Sequence, residues 1–150
     1  RFRRYMRRSK IQGVFWSQAG NTETMANAIA KGIEAGGKEA EVVHVSQASL
    51  DELKKASVFA LGCPAMGDEV LEEGEMEPFV EEVEAIAGGK QIALFGSYGW
   101  GDGQWMRDWT DRMMGAGAEV INGEGLICQE MPDDEALAAC EALGQKMASL

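Results

Sequence analysis

Apolar residues along this chain alternate between short β-type runs and stretches spaced for one face of a helix. Ile11 to Trp16 reads as a first strand. The helix after it presents Met25, Ile29 and Ile33 on one side and is stopped by Gly36 and Gly37. Glu41 to Val45 is a second strand, and Leu50 to Ala56 a short helix. Ser57 to Gly62 is almost wholly apolar, the pattern of a central parallel strand covered on both faces. A long acidic loop separates it from a helix over Glu77 to Ala87, with Phe79, Val83 and Ile86 inward, and Gln91 to Phe95 is a fourth strand. Gln104 to Met114 is a helix, Glu119 to Cys128 a fifth strand with a glycine-containing interruption, and Asp133 to Ser149 a closing helix capped by Asp133.

Such alternation requires right-handed crossovers and a parallel sheet with helices on both faces. With 150 residues, 45% of them hydrophobic, the chain has the size of one domain around one core, expected over residues 10–150. There is no run of eighteen or more apolar residues, and the basic N-terminus is not followed by an apolar stretch, so neither a membrane span nor a secretory signal is expected. A chain with neither reads as cytoplasmic. Cys63, Cys128 and Cys140 are odd in number and widely spaced, which argues against disulfides, zinc or an iron–sulfur cluster. Cys63 stands beside a candidate loop and is reactive if exposed.

Charge changes the picture in one respect. Arg1, Arg3, Arg4, Arg7, Arg8 and Lys10 are 6 of the 14 basic residues, so the other 8 face all 25 acidic ones, leaving residues 11–150 at −17. A body so charged repels nucleic acid and anionic membrane and favours fast encounter with proteins bearing basic patches. Residues 1–9 read as a basic extension, either a nucleic-acid or membrane arm or a disordered or cloning-derived leader.

Two loops carry the candidate chemistry. Ser17-Gln18-Ala19-Gly20-Asn21-Thr22 follows the first strand and opens a helix, so free backbone N–H groups there point at whatever anion sits above them. Ser17 and Thr22 add hydroxyls, and Gly20 lets the backbone turn closely. The loop has no Lys or Arg, and the nucleotide-binding patterns G-x-x-x-x-G-K-[ST] and G-x-G-x-x-G are missing from it, which disfavours triphosphates and dinucleotides. The plain alternative is an Asn-capped helix after a polar turn. Gly96-Ser97-Tyr98-Gly99-Trp100-Gly101 follows the fourth strand and holds Trp100 between glycines, a placement suited to a ligand plate rather than to a core. A flat phosphorylated cofactor, FMN, suits both loops.

The chain resembles the short-chain bacterial flavodoxins of the clostridial type from about Lys10 onward. Three segments carry the resemblance: Ser17 to Glu23, Gly62 to Glu73 (GCPAMGDEVLEE) and Phe95 to Gly103 (FGSYGWGDG). It implies a flavodoxin-like three-layer sandwich with a five-stranded parallel sheet in the order 2-1-3-4-5. Ligands in such sheets bind beyond the strands' carboxyl ends, a rule borrowed here because flavodoxin with its flavin is a standard instance of it. By resemblance, Ser17 to Thr22 hold the FMN phosphate, Met66 and Trp100 lie against the two ring faces, Gly67 and Asp68 border the reactive N5 edge, and Glu69 accepts from N3–H. Pro64 belongs to the same loop, and backbone at Ala65, Ser97, Tyr98, Gly99 and Gly101 contacts the ring and ribityl chain. The Gly67–Asp68 peptide is expected to turn its carbonyl toward N5–H on one-electron reduction, stabilising the neutral semiquinone ahead of the hydroquinone.

One departure stands out: the family usually has a hydroxyl residue at Ala19 and often glycine at Gln18. The resulting lost hydrogen bond to phosphate is expected to weaken FMN binding. Trp16, Trp105 and Trp109 read as packing residues, and Met66 taken alone reads as core. His44 has no visible partner, while Gln129 and Glu130 approach the pyrimidine edge without joining the expected site. From Ala56 to Gly89 there are nine carboxylates and no Lys or Arg, a rim expected to oppose added negative charge on the cofactor and to steer basic partners. The reading is a monomeric, low-potential electron carrier for redox proteins with basic docking faces, such as reductases and enzymes of the ferredoxin-dependent type, with no metal and no catalytic residue. An FMN-dependent quinone or nitro reductase, or a flavin-free interaction module, are the alternatives.

Overall fold

The computed structural model describes residues 10–150, and the basic extension at 1–9 lies outside them. The elements are β1 (Ile11–Phe15), α1 (Asn21–Ala35), β2 (Ala40–His44), α2 (Leu50–Lys55), β3 (Val58–Gly62), α3 (Met76–Glu84), β4 (Gln91–Tyr98), α4 (Gln104–Gly115), β5 (Glu119–Val120), β6 (Leu126–Gln129) and α5 (Asp134–Ala148). All strand pairs are parallel, in the order β2-β1-β3-β4-β5, with β6 also paired to β4.

Period-two alternation divides the apolar residues between the sheet's two faces. Val14, Phe59, Leu61, Ile92 and Leu94 join α2, α3 and α4 in one layer, while Phe15, Val58, Ala60, Ala93 and Phe95 pack on α1 and α5 in the other. The single core expected from size is therefore two layers parted by the sheet. Central β3 is buried along its whole length, in line with its apolar run.

Two strand expectations are corrected. β4 continues past Phe95 to Tyr98, because β6 pairs with it from Phe95 to Tyr98. Gly96, Ser97 and Tyr98 are thus strand residues, and the loop begins at Gly99. The fifth strand is two pieces: between the Ile92–Val120 and Phe95–Leu126 pairs, β4 advances three residues and its partner six. The surplus leaves the sheet as a short turn in which Asn122 adopts φ 67°.

Candidate cofactor site

The three loops of interest leave the carboxyl ends of β1, β3 and β4, which are neighbours in the sheet. Trp16 N–H donates to Gly62 O at 3.0 Å, so the first two loops depart side by side. Ser17 Oγ accepts from the N–H groups of Gly20 (3.1 Å) and Glu23 (3.4 Å), folding the first loop over the start of α1. Gly20, at φ 95°, precedes the helix and supplies no side-chain cap. Asn21 is the first helical residue, so the Asn-capped alternative does not hold. Among the described residues the N–H groups of Asn21 and Thr22 have no acceptor, which leaves them for an anion. Thr22 is only 1% exposed and its Oγ1 accepts from Ser97 N–H at 3.4 Å, tying α1 to β4.

The second loop is pinned where it leaves β3. Ala65 N–H donates to Ser97 O at 3.1 Å, and Trp105 Nε1–H donates to Cys63 O at 3.0 Å. Met66 and Val70 exchange two backbone bonds, of 2.9 and 3.0 Å, closing a tight hairpin over Gly67, Asp68 and Glu69. Gly67 has φ 44° and Glu69 φ 58°. Glu69 Oε1 accepts from Gln104 N–H at 2.9 Å and so caps α4. That leaves Glu69 Oε2 for the ring N–H which the resemblance assigns to this carboxylate.

The third loop carries Trp100, 63% exposed, while Trp105 and Trp109 are buried, in keeping with their packing role. Ser97 Oγ donates to Glu130 O at 2.7 Å, Glu130 N–H donates to Tyr98 O at 2.7 Å, and Gln129 Nε2 donates to Gly99 O at 3.2 Å. Gln129 and Glu130 therefore act on the loop that bears Trp100, a role the sequence does not signal. Trp105 packs as its helical spacing predicts, and its indole N–H also positions the second loop, a role the spacing does not signal.

A cleft of about 180 Å³ joins these parts: Ser17, Gln18, Ala19, Asn21 and Thr22 form one wall, and Pro64, Ala65, Met66 and Ser97 the other. The remaining expected residues, Gly20, Gly67, Asp68, Glu69, Tyr98, Gly99, Trp100 and Gly101, do not line it. A wider cavity of about 500 Å³ between α4 and the β5–β6 turn includes none of the expected site residues.

Cys63 is fully buried, its Sγ accepts from Glu72 N–H at 3.4 Å, and burial pushes its thiol up to about 12, so it is not a reactive nucleophile. The nine-carboxylate rim is also partly spoken for. Arg112 on α4 pairs with Glu77 (2.6 Å) and Glu84 (3.0 Å), and Glu72 accepts from the N–H groups of Gly74, Glu75 and Met76. His44 does have partners: Ser46 Oγ lies 2.8 Å from Nδ1, and its ring meets Phe15 edge-on at 5.5 Å.

The sequence model of the Flavodoxin family matches residues 14–144. The chain belongs to the flavodoxin family. It is 53% identical over 137 residues to the flavodoxin of Clostridium beijerinckii, covering 91% of this chain and 98% of that one. It is 42% identical over 138 residues to the Megasphaera elsdenii flavodoxin, covering 92% and 98%. The solution structure of two-electron reduced Megasphaera elsdenii flavodoxin is similar at a TM-score of 0.83 and 41% identity, covering 93% of this chain and 99% of that one. The clostridial, short-chain likeness and the strand order read from the sequence both hold. As a flavodoxin the chain carries electrons on a flavin between redox partner proteins and is not an enzyme.

Proposed function

We propose that the flavin is FMN and that the three loops form its site. The observation that carries this reading is the cleft that sets the unpaired N–H groups of α1 against the second loop and Ser97. The N-terminal partial charge of α1 and the hydroxyls of Ser17 and Thr22 suit a terminal phosphate, with Gln18, Ala19, Gly20 and Asn21 shaping the turn around it. A dinucleotide would bring a second phosphate and ribose for which the loops offer no basic partner.

Bound FMN supplies one-electron redox chemistry, and the chain supplies the surroundings. Pro64 and Ala65 border the ribityl path, Met66 offers a polarizable thioether and Trp100 an aromatic face, and together they exclude water from the ring. Gly67 and Asp68 would border its reactive edge, and Glu69, whose Oε1 is taken by Gln104 N–H, would accept a ring N–H through Oε2. Backbone of Ser97, Tyr98, Gly99 and Gly101 completes the border. The partners are redox proteins with basic faces, met by a body that is −17 beyond Lys10, so association is fast and weakens with salt. We place the chain in the cytoplasm as a monomer, in keeping with its free cysteines.

Titration of the flavin-free chain with FMN and with riboflavin tests the reading. FMN is expected to bind far more tightly, and the complex to take up two electrons in two resolved steps in its absorption spectrum. Equal affinity for riboflavin would remove the phosphate from the first loop.

A further inference from the structure

On the far side of β1 from α1, a second polar site is built into an apolar layer. Gln12 shares its sheet face with Val14, is 7% exposed, and is the only polar residue that β1 buries. Its Nε2 donates to Glu41 Oε1 on β2 at 3.2 Å and to Glu52 Oε1 on α2 at 2.5 Å. Its Oε1 has no hydrogen-bond partner. Above it opens a notch of about 320 Å³ walled by Glu41, His44, Gln47, Ser49 and Glu52.

We propose that this notch binds a guanidinium group. Two carboxylates are drawn to one neutral amide, and among the described residues neither has a basic group within 4.0 Å. Like charges gathered on a neutral donor are relieved by a cation between them. A metal ion is the poorer occupant, since among the described residues no cluster of three His, Cys, Asp or Glu side chains can hold one. A guanidinium presents five N–H donors in a plane, enough to serve both carboxylates with donors to spare. The Gln12 amide lines the same notch and holds the two carboxylates together through its Nε2. The same chemistry has two sources: the five arginines at positions 1–8 of this chain, or a free guanidino compound.

His44, the sole histidine, lines the notch, so its ring proton resonances report on occupancy without reference to the flavin. The test compares the full chain with a variant carrying Arg1→Gln, Arg3→Gln, Arg4→Gln, Arg7→Gln and Arg8→Gln, each titrated with arginine amide and, as a neutral planar control, urea. In that variant, arginine amide is expected to shift the His44 resonances saturably and urea to leave them in place. Adding Glu41→Gln and Glu52→Gln, which keep acceptors for Gln12, is expected to weaken binding at least about tenfold. Resonances of the unmodified chain already at the saturated position assign the site to its own arginines; resonances that start free and respond to the probe assign it to a free compound. A response that is not saturable, that urea reproduces, or that survives both glutamine substitutions overturns the proposal.

Discussion

Glu69 and Gly101 interlock. The Glu69 carboxylate caps α4 through Gln104 N–H, and a Cβ added at Gly101 would lie 2.6 Å from its carboxyl carbon. Gly101 also sits at φ 87°, where an L side chain is strained. Gly101→Ala is expected to lower stability by about 1–2 kcal/mol from backbone conformation alone and to push Glu69 off the helix end. Urea unfolding checks the first effect, and protection of the Gln104 amide from hydrogen exchange the second.

Trp105 holds the second loop through one bond, from its indole N–H to Cys63 O. Trp105→Phe keeps an aromatic ring against Tyr98, 5.6 Å away in the native packing, but leaves that carbonyl without its donor. Stability is expected to fall by about 1–3 kcal/mol. FMN affinity is expected to fall as well, because the residues after Cys63 line the cleft. Denaturant melts and flavin fluorescence titration measure the two losses.

Acid is expected to weaken α3 through Glu72. Partial burial opposes ionisation of this carboxyl, but its bonds to the Met76, Glu75 and Gly74 N–H groups outweigh that and hold it below its ordinary 4.5. A lowered value means that the stabilisation is complete above the unfolded-state value and is lost as pH falls through the folded one. Glu72→Ala is therefore expected to cost about 1 kcal/mol at neutral pH, as for loss of a helix cap. The deficit relative to the parent chain should shrink below about pH 4.5, in stability curves measured across that range.

Ala19 lines the cleft and is exposed. Ala19→Thr places a hydroxyl beside the proposed phosphate and is expected to tighten FMN binding by roughly 1.5–3 kcal/mol, the worth of a hydrogen bond to a charged group. Riboflavin affinity should not change. A titration with no gain for FMN would show that the loop has no phosphate within reach of residue 19.

Gly67 stands at φ 44° in the hairpin with nothing within 4 Å of an added Cβ. The strain in Gly67→Thr therefore comes from the backbone and not from a clash. By restricting the peptide between Gly67 and Asp68, the variant is expected to narrow the gap between the two one-electron potentials. Potentiometry checks this, and an unchanged gap would remove the peptide from redox control.

By itself the sequence determined the alternation of strands and helices and the loops that matter. Apolar spacing fixes which side of each element is buried, as in the unbroken run of β3, and short glycine-rich turns carry their chemistry locally, as in Ser17 to Thr22. Only the tertiary structure decided the rest, because those relationships join residues far apart in the chain. Pairing with β6 makes Ser97 and Tyr98 strand residues. Arg112 answers Glu77 and Glu84 across 35 and 28 positions, so a count of nearby charges overstated the bare acidic rim. The capping of α4 by Glu69, the hold of Trp105 on Cys63 and the meeting of Glu41 and Glu52 on Gln12 are likewise packing outcomes. A hydrogen bond between distant segments leaves no periodic trace in either, and it becomes visible only when the sheet brings its two ends together.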